Sequence, residues 1–144
     1  DRPSSSAMAA VRELGHRMIE KSGEAHLGME GYPAERGLYM TVLTPFGLHR
    51  RGDKGWAFAE PDLDTEAGRS LLPAWDVLSE RGDISLDVVF DLWAGPPYGL
   101  KRGVMPVLAM AYILSRRPAL AVYADGVFLP SLDSLFFDRL LQEP

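Results

Sequence analysis

The sequence predicts a mainly α-helical protein with a small β-hairpin. Apolar residues recur at three- and four-residue spacing in several segments, which is typical of amphipathic helices. Near the carboxyl end, two short alternating runs flank Asp125-Gly126, a dipeptide that favours a two-residue hairpin turn because both residues reach positive φ easily. With 47% apolar and 24% charged residues, the 144-residue chain is globular and long enough to bury a core.

The first 64 residues predict a helical segment that ends in a short strand. Ser4-Ser5-Ser6 can cap an amphipathic helix over residues 7–21, and a second helix is expected over 34–43, directly after Pro33. Residues 44–47 interrupt it. Residues 49–55 are expected to form a polar loop, followed by a strand over 56–58 with both of its aromatic rings on one face.

Residues 65–144 predict a winged-helix-like arrangement. Helices are expected over 65–80, 86–93, 104–114 and 132–141, the last capped by Ser131 or Asp133, with a very short strand at Ile84-Ser85 and the hairpin over 119–129. The sequence order of helix, strand, helix, helix and hairpin is that of a winged helix. We therefore expect an N-terminal helical segment, 1–64, packed with a winged-helix-like domain, 65–144, as one unit. In the third and fourth helices, the core residues expected are Leu71, Leu72, Trp75, Leu78, Val88, Val89, Leu92 and Trp93.

The helix over 104–114 does not have the composition of a DNA-reading helix. Every one of its positions is apolar except Tyr112, which alone carries a hydrogen-bonding side chain, so most of this helix is expected to be buried. Any contact with DNA would then fall to the charged residues at its two ends and to the hairpin backbone. Contacts of that kind suit phosphates better than bases.

Seven basic residues form the candidate nucleic-acid site. Three lie in the expected loop after residue 48 and four bracket the apolar helix: Arg50, Arg51, Lys54, Lys101, Arg102, Arg116 and Arg117. The alternative is that they are solubilising or inter-domain charges. The net charge of −5, with acids concentrated in residues 61–100, excludes a surface that is basic all over. Adenine-reading amides are nearly absent, since the chain has no Asn and only Gln142.

The sequence favours no catalytic or metal site. The absence of Cys excludes a disulfide, a thiolate zinc site and a cysteine nucleophile, and no Gly-x-Ser-x-Gly elbow is present. The remaining candidates have plainer structural explanations. The histidines, at positions 16, 26 and 49, are too far apart for a local metal motif, and the acids Asp62, Asp64 and Glu66 fit a solvated connector. The proline turn at 95–99 lacks the amide donors of a phosphate-binding loop. The aromatic residues fit a core: Trp56, Phe58, Trp75 and Trp93. We therefore expect no enzyme activity, cofactor or metal.

Hydropathy predicts a cytoplasmic protein. No apolar run reaches the roughly 20 residues that span a bilayer, and the amino terminus lacks a signal-peptide core. The chain begins with Asp1 and not with Met, which favours a piece of a longer polypeptide.

Several segments together resemble a stretch of very large bacterial ATPases. They are SSA at 5–7, LGMEGYPAE at 27–35, GWAF at 55–58, LPAW at 72–75, PPYGL at 96–100, GVMPVL at 103–108 and AVYADGVFLP at 121–130. The likeness covers almost the whole chain and is to the PglY/BrxC type of ATPase of BREX phage-resistance systems, and to related prokaryotic defence ATPases.

The resemblance implies an accessory domain and carries over no catalytic residue. In that family the nucleotide-binding motifs lie outside the matching stretch, and this chain has no Gly-x-x-x-x-Gly-Lys-Ser/Thr motif. The implied role is a non-catalytic domain that couples an antiviral-defence ATPase to duplex DNA or to partner subunits. The alternative is a protein-interaction or oligomerisation scaffold that binds no nucleic acid.

Overall fold

Six α-helices and two antiparallel β-hairpins are seen in a computed structural model that describes residues 4–80, 83–117, 120–142 and 144. The helices are α1 (Ser5–Glu20), α2 (Ala34–Leu38), α3 (Glu66–Asp76), α4 (Leu86–Ala94), α5 (Met105–Ser115) and α6 (Ser134–Gln142). The strands are β1 (His49–Gly52), β2 (Gly55–Phe58), β3 (Val122–Ala124) and β4 (Val127–Leu129). The expected class, mainly α with a small hairpin, is confirmed.

Helix α1 lies against α2, α5 and α6. It begins as predicted at a serine cap, because the Ser4 hydroxyl accepts a hydrogen bond from the Ala7 amide at 3.1 Å. Halfway along its buried face, Gly15 lets the Phe137 ring of α6 approach the α1 backbone. A Cβ at Gly15 would lie 2.1 Å from a carbon of that ring, so only glycine fits there.

The second predicted helix is present but changes its winding. Helix α2 runs directly into a π-turn over Tyr39–Leu43 and then into a 3₁₀ turn over Thr44–Phe46. Gly47, with φ 67°, ends the segment in the left-handed conformation.

The expected polar loop over 49–55 is wrong, because most of these residues are paired in a hairpin. Strands β1 and β2 align His49 with Phe58 and Arg51 with Trp56, leaving a two-residue turn at 53–54. Residues 56–58 form the predicted strand, and they pair with the residues just before them. Opposed residues share a face, and the His49 ring packs on both Trp56 and Phe58, so the two aromatics lie on one face as expected.

The short strand expected at Ile84-Ser85 is also wrong, since these residues lead into α4 without pairing. The expected core face of α4 is partly wrong: Val88 and Leu92 are exposed, whereas Phe90 is buried with Val89 and Trp93. Phe90 stacks on Trp93 within α4, with ring centroids 5.8 Å apart, and the bond of Trp93 to α3 turns this pair toward the core. The indole Nε1 of Trp93 donates to the Ala74 carbonyl at 2.8 Å, which ties α4 to α3.

Helix α5 is the centre of the core. All nine residues from Met105 to Ile113 are buried, and the helix contacts α1 and β2 from the first half and α4 and α6 from the second. The predicted burial of this helix is confirmed, so it has no free face with which to enter a DNA groove.

The second hairpin forms as predicted around Asp125-Gly126. Their φ values of 50° and 78° give the turn that suits the right-handed twist of the strands. Asp133 is the cap of α6, because its carboxylate accepts from the Phe136 amide at 3.1 Å. Helix α3 ends at Asp76, before the expected end at residue 80, and the expected hairpin start at 119 lies outside the described residues.

In the described part of the chain, no helix combines the length and the apolarity needed to cross a membrane.

Candidate interaction surfaces

The basic residues of the first cluster occupy two different environments on the β1–β2 hairpin. Arg50 is half-buried, and its Nη1 donates to the Gly47 carbonyl at 2.6 Å and to the Glu60 carbonyl at 2.7 Å. Arg50 therefore fixes the loop on either side of the hairpin. Arg51 and Lys54 are exposed near the hairpin tip, with the exposed Asp53 between them. Of this cluster, only these two side chains have no hydrogen bond or ion pair to the residues that the structure describes.

The basic residues before α5 are both exposed. Arg102 donates through Nη2 to the Asp91 carboxylate of α4 at 2.6 Å. Lys101 forms no ion pair within the described ranges. An exposed pair such as Arg102 with Asp91 contributes little to stability and opens readily.

Arg116, at the end of α5, is held by Glu60. The guanidinium donates from Nε to Glu60 Oε2 at 3.1 Å and makes a second, shorter contact from Nη2 to Oε1. The Glu60 carboxylate also accepts from Trp75 Nε1 at 3.1 Å and from the Ser115 hydroxyl at 3.2 Å. Arg116 in turn lies over the Tyr112 ring at 4.7 Å. This network joins the loop after β2 to α3 and α5.

The pKa values of both partners agree with a stable pair. Burial alone would raise the pKa of Glu60, but hydrogen bonds from Arg116, Trp75 and Ser115 together lower it. The hydrogen bond to Glu60 is the main cause that raises the pKa of Arg116. A phosphate would have to displace Glu60 to reach Arg116, so this residue is structural.

Arg117 is also engaged within the fold. Its Nη2 donates to the Leu129 carbonyl at 3.1 Å and to the Pro130 carbonyl at 3.0 Å. These bonds fix the base of the β3–β4 hairpin to the end of α5. Of the seven predicted contacts, the structure thus leaves Arg51, Lys54 and Lys101 exposed without an ion pair among the residues it describes.

The β3–β4 hairpin presents an apolar face that the sequence did not single out. Tyr123 and Phe128 are paired across the strands on one face of the hairpin, 62% and 50% exposed, with ring centroids 5.8 Å apart. Val127, which is 62% exposed, lies on the opposite face, because neighbouring residues of a strand alternate between faces. We call the side chains of Tyr123 and Phe128 the wing surface. The period-two pattern of a hairpin does not show which face is left uncovered, so sequence alone offered no signal for it.

A buried histidine lies at the opposite hairpin. His49 Nε2 is 2.7 Å from the Ser22 carbonyl, and Nδ1 is 2.8 Å from the Tyr39 hydroxyl. Burial raises the pKa of Tyr39 to about 12 and lowers the pKa of His49.

His16, in contrast, contacts Asp138 of α6 at 2.7 Å. The three histidines do not form a metal site, and the described residues contain no group of three or more metal-binding side chains.

The remaining sequence candidates have structural roles. Asp62 Oδ1 accepts from the Asp64 amide at 3.0 Å, in the loop where Thr65 caps α3. The turn over 95–99 closes on the Gly95 carbonyl, which accepts from the Tyr98 and Gly99 amides. Among the aromatic candidates, Trp56 is half-buried and three are buried core residues: Phe58, Trp75 and Trp93.

Comparisons of this chain with models of protein families, with curated proteins and with solved structures gave no match.

Proposed function

We propose that this chain is a non-catalytic accessory domain of a large prokaryotic phage-defence ATPase of the PglY/BrxC type, and that its wing surface docks onto another domain of the same ATPase. The ATPase family rests on the sequence segments that resemble it. The docking role rests on one observation: Tyr123 and Phe128 are presented to solvent side by side on a hairpin whose base is hydrogen-bonded by Arg117.

The chemistry of the wing favours a protein partner over DNA. Its tip carries the carboxylate of Asp125, which repels phosphate. The cations that contact the hairpin are already bound to it, Arg117 to its carbonyls and Arg139 of α6 to Asp125. Aromatic side chains on a rigid support are typical of the centres of protein interfaces. Full burial of a fully exposed phenylalanine contributes about 1.5–3 kcal/mol, and these half-exposed rings contribute a corresponding fraction. The surface is small, so it fits a domain held nearby in the same polypeptide, where the effective concentration is high.

The test measures binding between this chain and the rest of the protein that its parent reading frame encodes, expressed as a separate polypeptide. We expect the two parts to bind in trans, and we expect Tyr123→Ser with Phe128→Ser to weaken the affinity at least tenfold in calorimetry. The control is Val88→Ser with Leu92→Ser, which removes two comparably exposed apolar side chains from α4 and should leave binding unchanged. Equal weakening by both pairs would refute the wing as the docking site. A parent frame without a nucleotide-binding domain would refute the ATPase family.

A second candidate function is contact with duplex DNA through the tip of the β1–β2 hairpin. It is favoured by Arg51 and Lys54, which are exposed and form no ion pair in the part of the chain that the structure describes. If they bind phosphates, Arg51→Ala with Lys54→Ala will lower the slope of log affinity against log salt by about 2. Fluorescence anisotropy with a labelled duplex measures the slope, and Lys101→Ala is the single-cation control at another site. Binding that does not depend on salt excludes this function.

A further inference from the structure

The junction between the β1–β2 hairpin and the turn after α1 holds a buried histidine in one defined protonation state. His49 is only 3% exposed. A carbonyl oxygen can only accept a hydrogen bond, so Nε2 of His49 carries the proton that it donates to Ser22. In the neutral ring Nδ1 then carries no proton, and its lone pair accepts a hydrogen bond from the Tyr39 hydroxyl.

A second proton on His49 disrupts this arrangement. It would sit on Nδ1 and face the Tyr39 oxygen, so the hydroxyl proton of Tyr39 would lose its acceptor. Tyr39 is 2% exposed, and its hydroxyl has no other hydrogen-bond partner within the described residues. Protonation therefore leaves a buried donor unsatisfied, which opposes the charged form beyond the effect of burial itself.

The groups around His49 do not compensate a positive charge. His26 faces it from the 3₁₀ turn Ala25–Gly28, Tyr39 from the π-turn, and Trp56 and Phe58 from β2. Arg51 lies two residues along the same face of β1. Both imidazoles pack on the Trp56 ring, with centroids at 5.6 Å for His26 and 5.3 Å for His49. No carboxylate in the described part of the chain pairs with either ring, and the charge of His26 opposes a positive charge on His49.

The same aromatic cluster holds a strained backbone. His26 and Leu27 have φ values of 51° and 53°, and Gly28 follows at 70°, so three consecutive residues are left-handed. This conformation is costly for residues other than glycine and persists only where the surroundings enforce it. Here Leu27 is fully buried, its carbonyl accepts from Arg17 at 3.5 Å, and the His26 ring is packed on Tyr39 and Trp56.

We propose that Ser22, His26, Tyr39, His49 and Trp56 form an acid-sensitive latch: protonation of His49 releases the left-handed turn and the β1–β2 hairpin from Tyr39, while the core around α5 stays folded. Burial, aided by the charge of His26 and opposed by the bond to Ser22, lowers the pKa of His49 below its ordinary value of 6.5. The open state therefore binds more protons than the closed state. Opening is favoured as the pH falls through about 6.5 and is suppressed above it.

Hydrogen exchange of the whole 144-residue chain between pH 7.5 and 5.5 tests the latch. After correction for the intrinsic pH dependence of exchange, amides of residues 27–29 and of the β1–β2 hairpin should lose up to about tenfold protection per pH unit for each proton taken up. Amides of α5 should keep their protection. Hairpin protection that stays constant over this range overturns the proposal, and so does a loss that is shared equally by α5, because that is global unfolding.

Two variants assign the effect to the histidines. His49→Gln removes the titrating ring and should make hairpin protection independent of pH. His26→Phe keeps a ring against Trp56 without the charge, and should lower the dependence on pH even if His49→Gln fails to fold. His16→Gln, at the α1–α6 contact, is the control and should behave as the unaltered chain. The proposal is overturned if hairpin protection depends on pH in His26→Phe as strongly as in the unaltered chain and, where His49→Gln folds, equally strongly in that variant.

Discussion

The two hairpins are alike in local structure and opposite in environment. Each consists of two short antiparallel strands joined by a two-residue turn. The β1–β2 hairpin buries the side chains at its open end, where His49 and Phe58 lie in an aromatic cluster, and exposes cations near its tip. The β3–β4 hairpin is held at its base by Arg117 and exposes Tyr123 and Phe128. What lies against a hairpin, more than the hairpin itself, therefore decides whether its aromatic residues stabilise the fold or remain free for a partner.

The largest expected difference between the hairpins comes from truncating one phenylalanine in each. Phe58→Ala removes a side chain that is 8% exposed and leaves a cavity beside His49, so we expect the free energy of unfolding to fall by about 3–5 kcal/mol. Phe128→Ala, at 50% exposed, is the matched control and should cost less than about 1 kcal/mol. Urea denaturation followed by circular dichroism measures both. Equal losses would show that the wing is part of the core.

A smaller difference is expected from the carboxylates that tie each hairpin to its neighbours. Glu60→Gln removes the charge that holds Arg116 beside the β1–β2 hairpin, and since Glu60 is partly exposed we expect a loss of about 1 kcal/mol at pH 7. The pKa of Glu60 is lowered on folding, so its contribution is complete above its ordinary value of 4.5 and disappears as the pH falls through the lower folded value. Chemical denaturation at pH 7 and at pH 3 provides the measurement. The free energies of unfolding of the unaltered chain and of Glu60→Gln should differ at pH 7 and converge at acid pH.

The smallest effect is expected for the corresponding pair of the second hairpin. Asp125 contacts Arg139 of α6, but both side chains are largely exposed. Asn tolerates the positive φ of position 125, so Asp125→Asn should change the free energy of unfolding by less than about 0.5 kcal/mol. Thermal melting at low and moderate salt provides the measurement. A loss as large as that of Glu60→Gln would contradict the contrast between the two hairpins.

The difference between the hairpins also explains how far the sequence could predict the fold. Asp125-Gly126 predicted the second hairpin, because both residues favour positive φ. The first hairpin has no such signal: Asp53-Lys54 is an ordinary dipeptide, and the positive φ falls directly after the turn on Gly55, the first residue of β2, at 104°. The buried helix α5 was predictable because it is apolar on every side. The exposure of Val88 and Leu92 was not predictable, since the orientation of α4 depends on its contacts with α3, such as the hydrogen bond from Trp93 to the Ala74 carbonyl.

The candidate site was less predictable than the fold, because its contacts join distant parts of the chain. Arg116 and Glu60 are 56 residues apart, and Arg117 reaches carbonyls 12 and 13 residues further on. Charge and spacing indicated where cations occur, but not that Arg50, Arg116 and Arg117 would be bound within the protein. The wing surface was missed for the same reason, since exposure depends on which elements do not pack against it.

Burial of α5 on every side has a consequence for how the chain acquires its structure. Elements from both ends of the sequence, α1 and α6, must be present before this helix is removed from water. A nascent or truncated chain that ends before α6 would leave uncovered the surface of α1 at Gly15, where the Phe137 ring packs, and one side of α5. Such a chain would be prone to aggregate. Folding of the core is therefore expected to be all-or-none and to await synthesis of α6.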